Sequence, residues 1–254
     1  MLELATEKDL DAILEFCDSD LLGTRIGCYC LSYGFDRDFL NVWVDKADCC
    51  INAVIAKFYD IVTLKANGDD LSEVGEFVSM IGFKSLEAES ETFEKLHYKA
   101  DEIKKSYVFS GNADNTDAQG LTEEYYKSLY NLVSENIPGS FSGDKESYLA
   151  FLSDFTFRKR RNLARAKGIL LDGALVSSVI TSAEVPRNAL ISAVASDKTI
   201  RDMGLGKKTV LSMVTELQKE NKKVYVIALN ESAEGFYEHL GFEFYKNIAI
   251  KKGD

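Results

Sequence analysis

The chain has 254 residues and a formal net charge of −11 at pH 7, from 30 Lys and Arg against 41 Asp and Glu. This length corresponds to one large or two modest domains, and 46% hydrophobic residues are enough for a packed core. The acidic balance excludes the basic face that nucleic-acid binding requires. No apolar run approaches the roughly 20 residues that cross a bilayer, so we expect neither a nucleic-acid nor a membrane partner.

Charge and cysteine content differ between the two halves. Residues 1–110 contain 22 acidic and 11 basic side chains, whereas residues 111–254 contain 19 of each. The five cysteines all lie in the acidic half: Cys17, Cys28, Cys30, Cys49 and Cys50. An odd number of cysteines, after a start that lacks the pattern of a signal peptide, is typical of reduced thiols in the cytoplasm. With two histidines in the whole chain and no CxxC pair, we expect no metal site.

The first half alternates helical and extended patterns. Helices are predicted over residues 6–17, 20–33 and 71–81, the last because Leu71, Val74, Val78 and Ile81 recur at helical spacing. Strands are predicted for 39–44, 50–58, 60–66 and 83–88. A short helix over 91–98 and a strand over 104–111 follow, and the polar stretch 111–120 is the best candidate for a linker.

The second half repeats this order with clearer patterns. Helices are predicted over 122–136 and 145–161, and strands over 164–173, 174–184 and 188–196, with a two-residue turn at Asp172-Gly173. A loop over 197–204 leads to a long helix over 205–220, a strand over 223–230, a helix over 232–240 and a final strand. Because residues 85–96 align with the segment around 230–240, we predict two duplicated domains, 1–110 and 111–254.

One segment of the second half has the pattern of an anion site. Arg201, Gly204 and Gly206 lie between a predicted strand and the start of a predicted helix. The first turn of a helix presents unpaired N–H groups and the positive end of the helix dipole. Glycines allow a phosphate to approach the backbone closely, and Lys207 and Lys208 add positive charge.

This R-x-x-G-x-G pattern is followed by a strand that ends near Asn230 and by A-x-x-F-Y-x-x-L-G-F over residues 233–242. Together the two motifs resemble the GNAT superfamily of acyl-CoA-dependent N-acyltransferases, over about residues 122–250. The resemblance implies an α/β fold, with a mixed twisted sheet flanked by helices, in two tandem copies. It also implies acetyl-CoA as the acyl donor and an amine of a small molecule or peptide as the acceptor, in a monomer or homodimer.

The resemblance assigns cofactor-binding residues one by one. The glycine loop would hold the pyrophosphate of acetyl-CoA, the preceding strand would pair with the pantetheine arm, and the residue after the next strand would approach CoA. These residues are Val194, Ala195, Ser196, Arg201, Asp202, Met203, Gly204, Leu205, Gly206, Lys207, Asn230 and Tyr237.

Two residues are candidates for catalysis. Tyr237 stands where the family often has a tyrosine that protonates the departing CoA thiolate, a role for which a phenol is suited. Glu184, at the end of the strand 174–184, is the candidate for the general base. The alternatives are that Tyr237 is a packing aromatic and that Glu184 is a surface carboxylate at a hairpin end.

We interpret the first half as a degenerate copy of the second. At the corresponding helix start it has Asp69, Asp70 and Glu73 instead of the glycine loop. Carboxylates there would satisfy the donors that a phosphate needs and would repel CoA. We therefore predict one working cofactor site, in the C-terminal half.

Three functions are compatible with the sequence. The first is an N-acetyltransferase that works by direct attack of the amine, and the second is a non-catalytic acyl-CoA-binding or interaction module. The third, a tandem transferase that uses aminoacyl-tRNA, is disfavoured by the intact glycine loop and the net charge of −11. The acidic first half suggests a cationic acceptor, although carboxylates also serve solubility alone.

Overall fold

A computed structural model describes residues 2–18, 20–47, 50–113, 116–200 and 203–253. The elements of the first half are β1 (Leu2–Leu4), α1 (Leu10–Cys17), α2 (Leu21–Tyr33), β2 (Leu40–Ala47), β3 (Cys50–Phe58), β4 (Ile61–Ala66), α3 (Ser72–Ile81), β5 (Ser85–Glu89), α4 (Ser90–Lys95) and β6 (Glu102–Phe109). Those of the second half are β7 (Gln119–Gly120), α5 (Tyr126–Asn136), α6 (Lys145–Lys159), β8 (Ala166–Leu171), β9 (Ala174–Val185), β10 (Asn188–Ser196), α7 (Leu205–Lys219), β11 (Lys223–Ile227), α8 (Glu231–His239) and β12 (Phe242–Lys252).

The chain divides into two compact units. Unit 1 consists of Met1–Tyr107, Ile227–Tyr237 and Glu243–Asp254, and unit 2 of Val108–Val226 and Glu238–Phe242. The predicted α/β class and the predicted order of elements are confirmed. Among the described residues, no helix has the length and apolar character needed to cross a membrane.

Unit 1 is a mixed sheet with helices on both faces. Its strands follow the order β1-β2-β3-β4-β5-β12-β6. Strands β4 and β5 are parallel, whereas β5 pairs with β12 in antiparallel fashion. One apolar cluster includes Val74, Val78 and Phe93 of α3 and α4, and another includes Ile13 and Ile26 of α1 and α2. The alternation of the strands therefore supplies two apolar faces, and each face is covered by its own helices.

Unit 2 contains the sheet order β11-β10-β9-β8-β7. Strands β10 and β11 are parallel, and β8, β9 and β10 form antiparallel pairs. The turn between β8 and β9 has positive φ at both central residues, 49° at Asp172 and 81° at Gly173. These angles are those of a type I′ turn, which suits Asp-Gly and confirms the predicted hairpin. Helices α5 and α6 cover one face through Tyr126, Leu129 and Phe155.

The end of the chain does not follow the predicted boundary between residues 110 and 111. Strand β12 pairs with β5 from Ile248↔Glu89 to Lys252↔Ser85. Ala249 is buried in the same apolar cluster as Leu64 and Leu86. Because strand pairing and burial both join β12 to residues of the first half, most of this C-terminal strand belongs to unit 1. A local sequence pattern predicts a strand but does not determine which other strand it pairs with.

Candidate active site

Strands β10 and β11 of unit 2 separate part-way along their length. Their parallel register runs from Asn188↔Lys223 to Ile191↔Val226, and β10 then continues to Ser196. The register of β10 with β9 shifts between Ser192 and Ala195, and Ala193 has a positive φ of 50°. A bulge of this kind bends the strand and redirects its backbone groups. The far end of β10 therefore presents an edge that is not paired with β11.

Helix α7 begins with features of an anion site. Its N-cap, Gly204, has a φ of 69° and a ψ of 16°, a left-handed conformation that glycine adopts without strain. Among the residues that the structure describes, no side chain caps this end, and the first turn contains no acidic residue. Lys207 and Lys208 are exposed in the same turn. Uncapped N–H groups and two ammonium groups favour an anionic ligand at this position.

The structure brings most of the predicted cofactor residues of unit 2 to these two elements. Val194, Ala195 and Ser196 form the end of β10, while Leu205, Gly206 and Lys207 open α7 after its N-cap. Met203 is exposed just before the helix. Arg201 and Asp202, the remaining predicted residues of the loop, lie outside the described residues.

The expected base, Glu184, lies in a different environment from the one predicted. Its carboxylate is fully buried and accepts hydrogen bonds from Arg165 Nε at 2.8 Å and Arg165 Nη2 at 2.7 Å. It also accepts from Lys222 Nζ at 2.8 Å and from Thr181 Oγ1 at 2.7 Å. Because these donors occupy both carboxylate oxygens, the assignment of Glu184 as an open general base conflicts with the structure. Glu184 instead anchors an ion network.

This network is a feature that the sequence did not reveal. Arg165 also binds Glu216 at 2.8 Å and Glu220 at 2.7 Å, both on α7 or directly after it. Burial opposes the charge of Arg165, but hydrogen bonds to Glu220 and Glu184 raise the pKa of its guanidinium above the usual value. The partners are separated by 19 to 55 positions, so no local spacing rule could have grouped them.

Tyr237 and Asn230 belong to unit 1. The Tyr237 side chain on α8 is buried, and this burial raises the pKa of its phenol above the ordinary value. The hydroxyl therefore remains protonated at neutral pH, as a proton donor must be. Asn230 is exposed before α8, and its Oδ1 accepts a hydrogen bond from the Ala233 N–H at 3.0 Å. This contact makes Asn230 the N-terminal cap of α8.

Unit 1 contains a similar separation of parallel strands, and charged side chains follow the end of the pairing. The register of β4 with β5 ends at Thr63↔Glu87, and Lys65 and Glu89 lie beyond it. Lys65 Nζ is 3.3 Å from Asp20 Oδ2, and both side chains are buried.

A second lysine completes this charged cluster. Lys246 Nζ is 2.7 Å from both carboxylate oxygens of Glu89. Burial opposes ionisation of Asp20, but Lys65 and other donors lower the pKa of its carboxyl. Burial and the nearby Asp20 raise the pKa of Glu89. Ion pairs therefore engage Lys65 and Glu89, the residues just beyond the end of the β4–β5 pairing.

The start of α3 in unit 1 contrasts with that of α7. The Asp70 carboxylate accepts hydrogen bonds from the Ser72 N–H at 3.0 Å and from Ser72 Oγ at 2.7 Å. Glu73 stands in the first turn, and Asp69 is 3.5 Å from Lys95 Nζ. The first-turn donor that a phosphate would use is thus bonded to the protein's own carboxylate.

Within the described parts of the chain, no group of three or more His, Cys, Asp or Glu side chains is arranged to hold a metal ion. The described cysteines, Cys17, Cys28, Cys30 and Cys50, are free thiols.

Comparisons with known proteins agree with this architecture. A family model described as FR47-like protein matches residues 168–249. No curated protein matches the chain. Among solved structures, a tandem GNAT protein from the clavulanic acid biosynthesis pathway has a TM-score of 0.64 at 12% identity, and the match covers 98% of this chain and 97% of that one.

Two further structures are similar over nearly their full lengths. A GCN5-related N-acetyltransferase from Sphaerobacter thermophilus has a TM-score of 0.61 at 12% identity, with 99% of this chain and 95% of that one covered. A GNAT-family acetyltransferase from Colwellia psychrerythraea has a TM-score of 0.60 at 11% identity, with 100% and 99% covered. The chain therefore has the α/β fold of these GNAT structures, and its FR47-like match lies in the C-terminal half.

Proposed function

We propose that this protein is an N-acetyltransferase that transfers an acetyl group from acetyl-CoA to an amine of a small molecule or peptide. The observation that carries the proposal is the start of α7, where the described residues provide no side-chain cap and no acid in the first turn. It follows the open edge of β10 in the chain, so one unit offers donors for both a phosphate and an extended arm.

These residues fit acetyl-CoA as the acyl donor. Gly204, Leu205, Gly206 and Lys207, together with Met203 before them, would bind the pyrophosphate through N–H groups and positive charge. Val194, Ala195 and Ser196 would pair with the pantetheine arm as an added strand. By the family resemblance, Arg201, Asp202 and Asn230 complete the set.

We place a single donor site in the C-terminal half, residues 111–254. The corresponding helix start in unit 1 is bonded to Asp70, and the Lys65–Asp20 pair lies beyond the end of the β4–β5 register. Displacing buried ion pairs to admit an anion would leave charges uncompensated, at a cost of about 3–5 kcal/mol for each broken pair.

In this proposal the neutral acceptor amine attacks the thioester carbonyl directly, and the C–N bond forms as the C–S bond breaks. The surplus amine proton passes to water, and water reprotonates Tyr237 after its donation to sulfur. Acetyl-CoA supplies the activated acyl group, and Tyr237 holds the proton that its Oη donates to the departing sulfur. A tyrosine phenol carries its proton at neutral pH even with its ordinary pKa. Glu184 has no part in the chemistry, because Arg165 and Lys222 engage its carboxylate.

The occupied carboxylate of Glu184 also favours a second candidate, a non-catalytic acyl-CoA-binding module. Both candidates require acetyl-CoA binding, and they differ in turnover. Release of CoA over a panel of amines, including polyamines, aminoglycosides and lysine peptides, separates them.

The first test is the binding of acetyl-CoA by calorimetry. We expect one molecule per chain, and loss of at least tenfold in affinity in Gly206→Glu, since this change puts a carboxylate into the first turn of α7. The control is Gln218→Glu, which adds the same charge at the exposed last turn of α7 and should bind normally. Two molecules per chain, or unchanged binding by Gly206→Glu, would contradict the proposed site.

The second test is Tyr237→Phe, which removes the phenolic proton and keeps the ring. We expect kcat to fall by about 10²-fold with an unchanged Kd for acetyl-CoA, in line with general-acid contributions. The paired change Phe236→Leu removes the neighbouring ring and should leave most of kcat. Full turnover in Tyr237→Phe would reject the acid role, and no turnover with any amine in the wild type would favour the binding module.

We also propose a cytoplasmic location. The support is the set of free thiols, three of them buried, in a chain with an odd number of cysteines.

A further inference from the structure

Three hydroxyl groups form a connected chain that joins α7, β9 and the end of β10. Thr209 Oγ1 on α7 lies 2.9 Å from Ser177 Oγ on β9, and Ser177 Oγ lies 3.0 Å from Ser196 Oγ on β10. Ser177 Oγ also donates to the Ala195 carbonyl at 3.2 Å. We call Thr209, Ser177 and Ser196 the hydroxyl chain. It links the first turns of α7 to the strand end that carries the predicted cofactor residues.

The hydroxyl chain lies where apolar side chains would be expected. Ser177 and Thr209 are both fully buried. A buried hydroxyl costs free energy unless it is hydrogen-bonded, and an alanine and a valine would fill nearly the same space without that cost. Thr209 Oγ1 also lies 2.8 Å from the Leu205 carbonyl of its own helix, so the contact with Ser177 on β9 is what distinguishes it from an ordinary buried helical threonine.

A second serine contacts the bulge itself. Ser178, also fully buried, has its Oγ 3.5 Å from the Ala193 carbonyl. Ala193 has a φ of 50°, which is an uncommon conformation for a residue other than glycine. Together Ser177 and Ser178 bind the carbonyls of Ala195 and Ala193 from the β9 side.

These contacts reach the backbone on both sides of Val194, at the carbonyls of Ala193 and Ala195. Val194 lies beyond Ile191↔Val226, the last pair of β10 with β11.

We infer that Ser177 and Thr209 are positioning residues of the acyl-donor site. They fix the start of α7 to the bulge of β10, so that the helix end that binds phosphate and the strand edge that pairs with the arm keep one relative geometry. The inference rests on the proposed function, because the ligand it concerns is acetyl-CoA.

The test uses substitutions that remove a hydroxyl with little change in volume. We expect Thr209→Val and Ser177→Ala each to raise the Kd for acetyl-CoA about tenfold in calorimetry. Thr209→Ser, which keeps the hydroxyl, should bind within about twofold of the wild type. The double variant should lose little more affinity for acetyl-CoA than either single variant, because Ser177 and Thr209 belong to one chain of contacts.

Ser182→Ala and Thr215→Val are matched controls. Ser182 Oγ on β9 donates to the Leu190 carbonyl at 3.2 Å, at the other register shift of this strand pair, and Thr215 Oγ1 on α7 donates to the Leu211 carbonyl at 2.8 Å. These changes should lower the thermal midpoint by similar amounts and leave the Kd unchanged. An equal loss of affinity in the controls, or an unchanged Kd in Thr209→Val and Ser177→Ala, would overturn the inference.

A readout without ligand separates this inference from the proposed function. We expect amide hydrogen exchange at residues 193–196 to speed up in Thr209→Val and Ser177→Ala but not in Ser182→Ala. If the wild type binds no acetyl-CoA, the proposed function fails, and the exchange data still decide whether the hydroxyl chain holds the bulge. If Gly206→Glu loses binding while the hydroxyl variants keep both binding and slow exchange, only the inference fails.

Discussion

At the scale of single residues, Glu184 shows how burial changes the meaning of a carboxylate. In the sequence it stands at the end of a strand and is available as a base, whereas in the structure four donor groups surround it. A buried carboxylate and its two cationic partners compensate one another's charges. Removing one of the three leaves buried charge that is no longer compensated. Its role is therefore to hold Arg165 and Lys222.

We predict that Glu184→Gln lowers the free energy of unfolding by about 3 kcal/mol, because Arg165 and Lys222 lose the one fully buried carboxylate that binds both of them. Urea denaturation measures this loss. Glu216→Gln is the control, since its side chain is 41% exposed and water can replace the lost contact. Near-normal stability combined with loss of turnover in Glu184→Gln would restore the base role.

At the scale of elements, helices α3 and α7 occupy corresponding positions in the element order of their units. The residues at their N-termini nevertheless differ in chemistry. Helix α7 has Gly204 as its cap and lysines in the first turn, while α3 has a neighbouring carboxylate bonded to the Ser72 N–H. The length and apolar face of a helix do not distinguish these cases. The few residues at the N-terminus decide whether the positive end of the helix dipole is bonded to the protein's own carboxylate or remains open to an anionic ligand.

The ion network that joins β8, β9 and α7 gives a prediction on pH. Hydrogen bonds from Arg165 lower the pKa of Glu220 from 4.5 to about 2, so the folded protein binds fewer protons than the unfolded chain between these values. Stability from this contact is therefore present above about pH 4.5 and is lost as the pH falls toward 2.

We expect urea midpoints to fall steeply between pH 5 and pH 3 in the wild type and less steeply in Arg165→Met, which lacks the donor that lowers this pKa. The control Arg160→Met, an exposed arginine after α6, should keep the wild-type slope. Equal slopes for wild type and Arg165→Met would show that the network does not govern acid stability.

At the scale of the whole molecule, the order of the chain and the division into units do not coincide. Residues 243–254 are the end of the second half in sequence but belong to unit 1, where β12 pairs with β5. The charge asymmetry of the halves remains informative: the acidic half carries the carboxylates at the start of α3, and the neutral half carries the glycine loop.

We predict that Ala249→Asp disrupts unit 1, because Ala249 is buried among Val62, Leu64 and Leu86 and an unpaired charge there costs several kcal/mol. Hydrogen exchange should show loss of protection in β4 and β5. Asn247→Asp is the control, since it adds the same charge at an exposed position of the same strand. Loss of protection in β8 and β9 with β4 and β5 unchanged would contradict the assignment of β12 to unit 1.

The sequence by itself determined nearly every element, the turn at Asp172-Gly173 and the GNAT resemblance. These features depend on local periodicity, turn chemistry and motifs whose residues are close in the chain. Only the tertiary structure decided the partner of β12, the ion network of Glu184 and Arg165, and the hydroxyl chain behind β10. Their members are separated by tens of residues or more, so pairing and burial, which local patterns do not encode, determine what each side chain does.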